Sequence, residues 1–200
     1  MNHRTTLIAA AVLVAVGSLP FLATAQINSA TAKKSDEVGL KIRKMDLINQ
    51  LLPVLLTPEQ LKKILPAVEK ARKADTDQQI REAELLRKLE PSLDKAIADA
   101  MKSRKTVPTE TLSKSASTLK AMRVSRNLMV DQQIAATLAV VNSTLDEGQK
   151  KAAANSMPVS SFWPGKKSEE ISQNDKLRTW VKYVLLDQGS YDLLLALSRK

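Results

Sequence analysis

The apolar positions of this chain follow a helical period almost throughout and alternate nowhere over a length that would build a strand. Between Asp36 and Leu56, Val38, Ile42, Met45, Ile48, Leu52 and Leu55 recur in steps of three and four, and Pro53 is expected to kink or end that helix. A longer pattern follows. Leu61, Ile64, Leu65 and Val68 share a face, and the stripe resumes at Ile80, Ala83, Leu86, Leu89, Leu93, Ile97 and Met101. Pro66 and Pro91 predict bends, but no glycine lies between residues 40 and 147 to stop the helix. A helix from Pro58 to Arg104 would run roughly 70 Å at about 1.5 Å per residue. Ser103 to Thr109 reads as a turn, and Thr109 is expected to cap a second long helix reaching about Val141. Its apolar positions are Leu112, Leu119, Met122, Val124, Leu128, Met129, Ile134, Leu138 and Val141. Asp146 then starts a short helix to Asn155, and Pro158, Pro164 and Gly165 break the chain into a loop over 157–171. Residues 172–188 form a last amphipathic helix with Leu177, Trp180, Val181, Val184 and Leu185 on one stripe, Gly189 as its C-cap, and an apolar continuation from Tyr191 to Leu197. The expected fold is all-α: an elongated helical hairpin with flanking short helices and a C-terminal amphipathic helix.

Two helix starts carry related motifs. In Leu56-Thr57-Pro58-Glu59-Gln60-Leu61, Thr57 fits the N-cap, Pro58 the first helical position, and Gln60 the place from which a side chain reaches back to the cap. Leu56 and Leu61 are spaced to close a hydrophobic staple. In Leu145-Asp146-Glu147-Gly148-Gln149, Asp146 replaces threonine as the cap and Gln149 keeps the box position, while Lys150 removes the staple.

Composition narrows the function. Met1 to Arg4 is short and polar, Leu7 to Val16 is apolar and uncharged, and Ala23-Thr24-Ala25 offers small residues at a cleavage site. This reads as a secretory signal peptide over 1–25, cut between Ala25 and Gln26, followed by a disordered tail over 26–35. The expected location is the periplasm. Cysteine is absent and the single histidine, His3, lies in the leader. The mature chain therefore lacks the ligands of a zinc site and the partners of a Cys–His or Ser-His-Asp centre. No catalytic residue, metal site or cofactor is assigned, and no phosphate-binding loop is found. Formal net charge is +10, and loss of Arg4, the one charged residue of the leader, leaves +9. Such a surface favours acidic polypeptides or anionic envelope surfaces. Nucleic acid is not expected, since export removes it and the aromatics Phe162, Trp163, Trp180, Tyr183 and Tyr191 do not interleave with the central basic residues. Their expected place is the core.

A Leu-Thr-x-x-Gln motif and its Asp-capped copy, each opening a helix and together bracketing a long basic hairpin over 36–156, resemble the LTXXQ-motif family of bacterial periplasmic proteins, which includes Spy-like ATP-independent chaperones and the Cpx-pathway inhibitor. The resemblance implies a thin cradle made by an antiparallel homodimer, whose basic and partly apolar face holds unfolded or partly folded polypeptides without ATP. The segment from Met157 to Lys200 has no counterpart in that family, and the scattered methionines and absent histidine argue against its metal-sensing branch. Residues 101–130 carry seven Lys and Arg against the single acid Glu110. The client-binding candidates are Lys102, Arg104, Lys105, Lys120, Met122, Arg123, Arg126 and Met129, with Lys120, Arg123 and Arg126 expected to cluster on one side. Leu56, Thr57, Gln60, Leu61, Leu145, Asp146 and Gln149 are assigned to structure. The competing readings are a regulatory binding module for a periplasmic sensor and a structural envelope protein that binds anionic surfaces. No enzyme is expected.

Overall fold

A computed structural model describes residues 29–199, which are helical with no strand among them, so the fold is all-α. The expected signal peptide and cleavage site, and residues 26–28, lie outside the described residues. The chain divides into two units, one ending at Gly39 and one running from Leu40. Helix α1 (Ser29–Leu51) starts inside the stretch expected as a tail. Residues 29–38 hold neither glycine nor proline, and Ala30, Ala32, Lys33 and Lys34 are good helix formers. The helix stops before Pro53, whose ring and missing N–H end it. A single 3-10 turn (Leu52–Val54) follows, and Leu55 closes it in the left-handed region, φ 54°, with its N–H on Leu52 O at 3.1 Å.

Helix α2 (Pro58–Ser103) runs 46 residues through both Pro66 and Pro91 without a break, so neither proline divides it. Arg104 ends it at φ 54°, donating its N–H to Ala100 O. Helix α3 (Thr109–Thr144) is longer than the sequence suggested. Its N-cap is Pro108, extended at φ −56° and ψ 136° with no side-chain cap, and Thr109 is the first helical residue rather than the cap. Asn142 and Ser143 continue the helix, which ends only when Leu145 turns extended. Helix α4 (Glu147–Asn155) follows, and the expected loop holds a helical turn, α5 (Val159–Phe162), and a 3-10 turn (Ser168–Glu170). The last amphipathic stretch is α6 (Gln173–Trp180), capped by the Ser172 hydroxyl, and a π turn over Val181–Leu185 closed by Leu186 N–H on Val181 O at 3.0 Å. Helix α7 (Ser190–Leu197) completes the chain. Gly189 is not a left-handed C-cap: it stands at φ −79° as the N-cap of α7, and a Cβ there would lie 3.2 Å from Leu47 Cδ1.

The core gathers at one end of α2 and α3. Leu47, Leu51 and Val54 from the first segment meet Leu61, Ile64 and Val68 of α2, Ile134 and Val141 of α3, and Leu177, Trp180, Val181, Val184, Leu185 and Leu194 of the C-terminal segment. Trp180 is fully buried, and its Nε1 donates to Gln50 O at 3.1 Å. Phe162, Trp163 and Tyr191 pack on this cluster, whereas Tyr183 stays exposed against the Phe162 ring, centroids 4.8 Å apart. The stripe read from α1 is therefore the wrong one. Ile42, Met45, Leu52 and Leu55 are exposed, and the helix buries the next apolar line, Leu47 with Leu51. Both lines have helical spacing, and only the docking of Trp180 and Gly189 against that side selects between them.

Beyond the core the two long helices have a thin seam. No buried member of the core cluster comes from residues 69–133. There α2 buries Gln78, Glu82, Leu89 and Ala96, while Ile80, Leu86, Ile97 and Met101, expected inside, face outward. On α3 the half-buried line is Thr111, Ser115, Thr118, Met122 and Met129, and Leu112, Leu119, Val124 and Leu128 are exposed. Leu89, Met122 and a line of polar and small residues hold the seam, and most of the other large apolar side chains lie on the surface.

Candidate functional site

The two motif copies form their capping boxes. The Thr57 hydroxyl accepts Gln60 N–H at 3.2 Å and Gln60 Oε1 accepts Thr57 N–H at 3.0 Å; Asp146 Oδ1 accepts Gln149 N–H at 2.8 Å and Gln149 Oε1 accepts Asp146 N–H at 3.2 Å. Leu61 and Leu145 are buried and Leu56 is half-buried against the core. The two boxes are also joined to each other, which the sequence reading did not foresee. Gln60 Nε2 donates to Gln149 Oε1 at 2.7 Å and Gln149 Nε2 donates back to Gln60 Oε1 at 3.0 Å. The second proton of each amide goes to the backbone of the opposite copy, Gln60 to Thr144 O at 3.2 Å and Gln149 to Leu55 O at 3.1 Å. Each glutamine thus uses its amide fully as donor and acceptor. The signal in the sequence was the same residue at the same box position in both copies.

A second polar contact ties α2 to α3. The Arg126 guanidinium grips the Glu82 carboxylate through Nε, 3.1 Å from Oε1, and through Nη2 on Oε2. Gln78 Nε2 donates to Glu82 Oε1 at 2.9 Å, and Arg81 Nη2 and Ser125 Oγ donate to Gln78 Oε1. The Glu82 side chain is only 5% exposed, against 56% for Arg126. The Arg126 hydrogen bond, with help from Gln78, holds the Glu82 carboxyl below its ordinary value against the opposing effect of burial, and raises the Arg126 guanidinium in turn. Residue 60 of α2 meets 144 at the end of α3 and residue 82 meets 126, so the numbering falls on α3 as it rises on α2 and the two helices run antiparallel along this contact.

The expected client-binding residues differ in exposure and in partners. Lys102, Arg104 and Lys105 are exposed where α2 ends, and Lys120 and Arg123 are exposed on α3. Arg126 keeps 56% of its side chain exposed while its guanidinium holds the buried Glu82 carboxylate, a partner that neither Lys120 nor Arg123 has among the described residues. Steps of three on an α-helix rotate steadily around the axis, which separates the first and third of three such residues. Met122 is half-buried in the seam, and Met129, also half-buried, lines a cleft beside Lys182 and Leu186. What accompanies the exposed cations is a set of leucines and a methionine: Met101 is 77% exposed, Leu112 56% and Leu119 42%.

Among the described residues no group of three His, Cys, Asp or Glu side chains is placed to hold a metal ion, and no helix is long and apolar enough to cross a membrane. Comparison with family models, with curated proteins and with solved structures finds no match for this chain.

Proposed function

We propose that this protein is an exported, ATP-independent chaperone-like or envelope-stress protein that holds unfolded or partly folded polypeptides on the coreless part of α2 and α3. In this reading the two helices form an elongated hairpin and a second copy completes a cradle. The observation that carries it is the inversion of the seam: Ile97, Met101, Leu112 and Leu119 are exposed beside Lys102, Lys105, Lys120 and Arg123. A surface that mixes exposed apolar groups with cations attracts clients at long range and holds them weakly at short range. The likeness to the LTXXQ proteins adds the joined capping boxes as a scaffold and rests on the two motifs and the layout.

The test is light scattering of a chemically denatured client diluted with and without the protein, in the absence of ATP. Suppression near stoichiometric ratio is expected, with loss in Leu112→Ser/Leu119→Ser and weakening in Lys120→Ser/Arg123→Ser. No suppression at several-fold excess refutes the reading, and a single tight envelope partner in its place would favour the regulatory module.

A further inference from the structure

Between α2, α3 and the segment after α6 lies a cleft of about 480 Å3. That is within the roughly 300–1,000 Å3 of small-molecule sites. The apolar part of its floor is made by Met129, Val130 and Ile134 of α3 and by Leu186, and Gln79, Gln133 and Gln188 add amides to the lining. Two cations stand at its edge. The Arg72 guanidinium lies 4.6 Å from the Tyr191 ring centroid and Lys182 Nζ 4.8 Å from that of Tyr183. Both side chains line the cleft, and neither has a carboxylate in salt-bridge range among the described residues. The one acid in the lining, Asp75, accepts a hydrogen bond from Gln79 Nε2 at 2.8 Å.

We infer that this cleft binds a single-chain anionic amphiphile, a fatty-acid-like carboxylate whose chain lies on the Met129–Ile134–Leu186 floor and whose head sits between Arg72 and Lys182. The four apolar side chains supply contact for the hydrocarbon chain, Met129 is soft enough to follow it, and the glutamine amides lie within the lining to meet water or the head group. The cations already lie over aromatic faces, which limits the freedom they lose on meeting a carboxylate. Their surplus over Asp75 sets the sign of the head group. The cleft lies over the core end of α3 and does not depend on the client surface proposed above.

The experiment is calorimetric titration of the full chain with laurate below its micelle concentration, beside dodecanol as the uncharged chain. Saturable binding of laurate is expected, with dodecanol weaker. Arg72→Gln and Lys182→Gln should each weaken laurate by about fivefold, as befits exposed charge pairs worth about 1 kcal/mol, and Lys105→Gln should leave it unchanged. Added salt should weaken laurate and not dodecanol in the unaltered protein, which decides the matter without any variant. Absence of saturable binding, equal affinity for dodecanol, or sensitivity to Lys105→Gln but to neither cleft variant would overturn the inference.

Discussion

Replacing Gln60 with glutamate separates the capping box from the junction between the two motif copies. Glutamate serves the box as well as glutamine does, since its carboxylate can accept Thr57 N–H. Close to the positive end of α2 its charge adds about 0.3–1 kcal/mol. If Gln60 only capped its helix, the variant would be neutral or more stable. The junction reverses the sign. Glutamate has no Nε2, so the bonds to Gln149 Oε1 (2.7 Å) and Thr144 O (3.2 Å) are lost and two acceptors are brought face to face. At about 1 kcal/mol net for each bond, with a further penalty for the part-buried carbonyl left without a donor, the loss is about 2–3 kcal/mol. Set against the gain at the helix end, Gln60→Glu should destabilise by about 1–3 kcal/mol in urea unfolding followed by far-ultraviolet circular dichroism. A double-mutant cycle of Gln60→Ala with Gln149→Ala should show coupling of about 1–2 kcal/mol. A glutamate variant as stable as the parent, or additive alanine variants, would refute the reasoning.

Other outcomes follow from the seam and the core. Arg126→Met should cost about 1–3 kcal/mol near neutral pH by stranding the buried Glu82 carboxylate. The folded-state pKa of Glu82 is lowered, so its stabilisation is complete above the ordinary carboxylate range and is lost as pH falls through the folded value; the gap between parent and variant should close in urea titrations at acid pH. Thr137 is 1% exposed and its hydroxyl has no hydrogen-bond partner. Thr137→Val should therefore stabilise by about 1 kcal/mol in thermal unfolding, and a loss of stability would show that the hydroxyl is satisfied in solution. Amide exchange should be faster across 85–125 than across 60–68 and 134–141, because the former lacks buried core partners; uniform protection along α2 would contradict this.

Much of the helix layout was legible because its signals are local. Thr57 with Gln60 and Asp146 with Gln149 set helix starts through short-range hydrogen bonds, and Pro53 set a stop through a clash with its own preceding turn. The errors come where a local signal has two solutions. On α1 the lines Ile42–Met45 and Leu47–Leu51 have equally good spacing, and packing of the distant Trp180 decides which is buried. Gly189 reads as a C-cap by position, yet its lack of a side chain serves the close approach of Leu47. Pro66 and Pro91 left open whether α2 is one helix or several, and it runs unbroken through both. For the candidate site, charge located the exposed cations but could not show that Arg126 is taken by Glu82, a partner 44 residues away.

On the distal part of α2 the expected stripe splits: Leu89 is buried and Leu93 half-buried, while Ile80, Leu86, Ile97 and Met101 are exposed. Ile80, Leu86, Ile97 and Met101 have the period of a buried face, and the inference from period to burial assumes that the chain provides something to bury them against. Here the half-buried line of the facing helix starts with Thr111, Ser115 and Thr118, which are too short to build an apolar layer, and only Met122 and Met129 further along add apolar bulk. A seam of small polar residues makes register weakly determined by packing alone. The Glu82–Arg126 contact supplies what the seam lacks, since a charged pair with hydrogen-bonding partners tolerates one alignment and penalises slips that strand Glu82. Holding two helices together through such a contact leaves their leucines unspent within the chain. In the proposed function those exposed side chains and the net charge of +10 together form the surface that meets client chains.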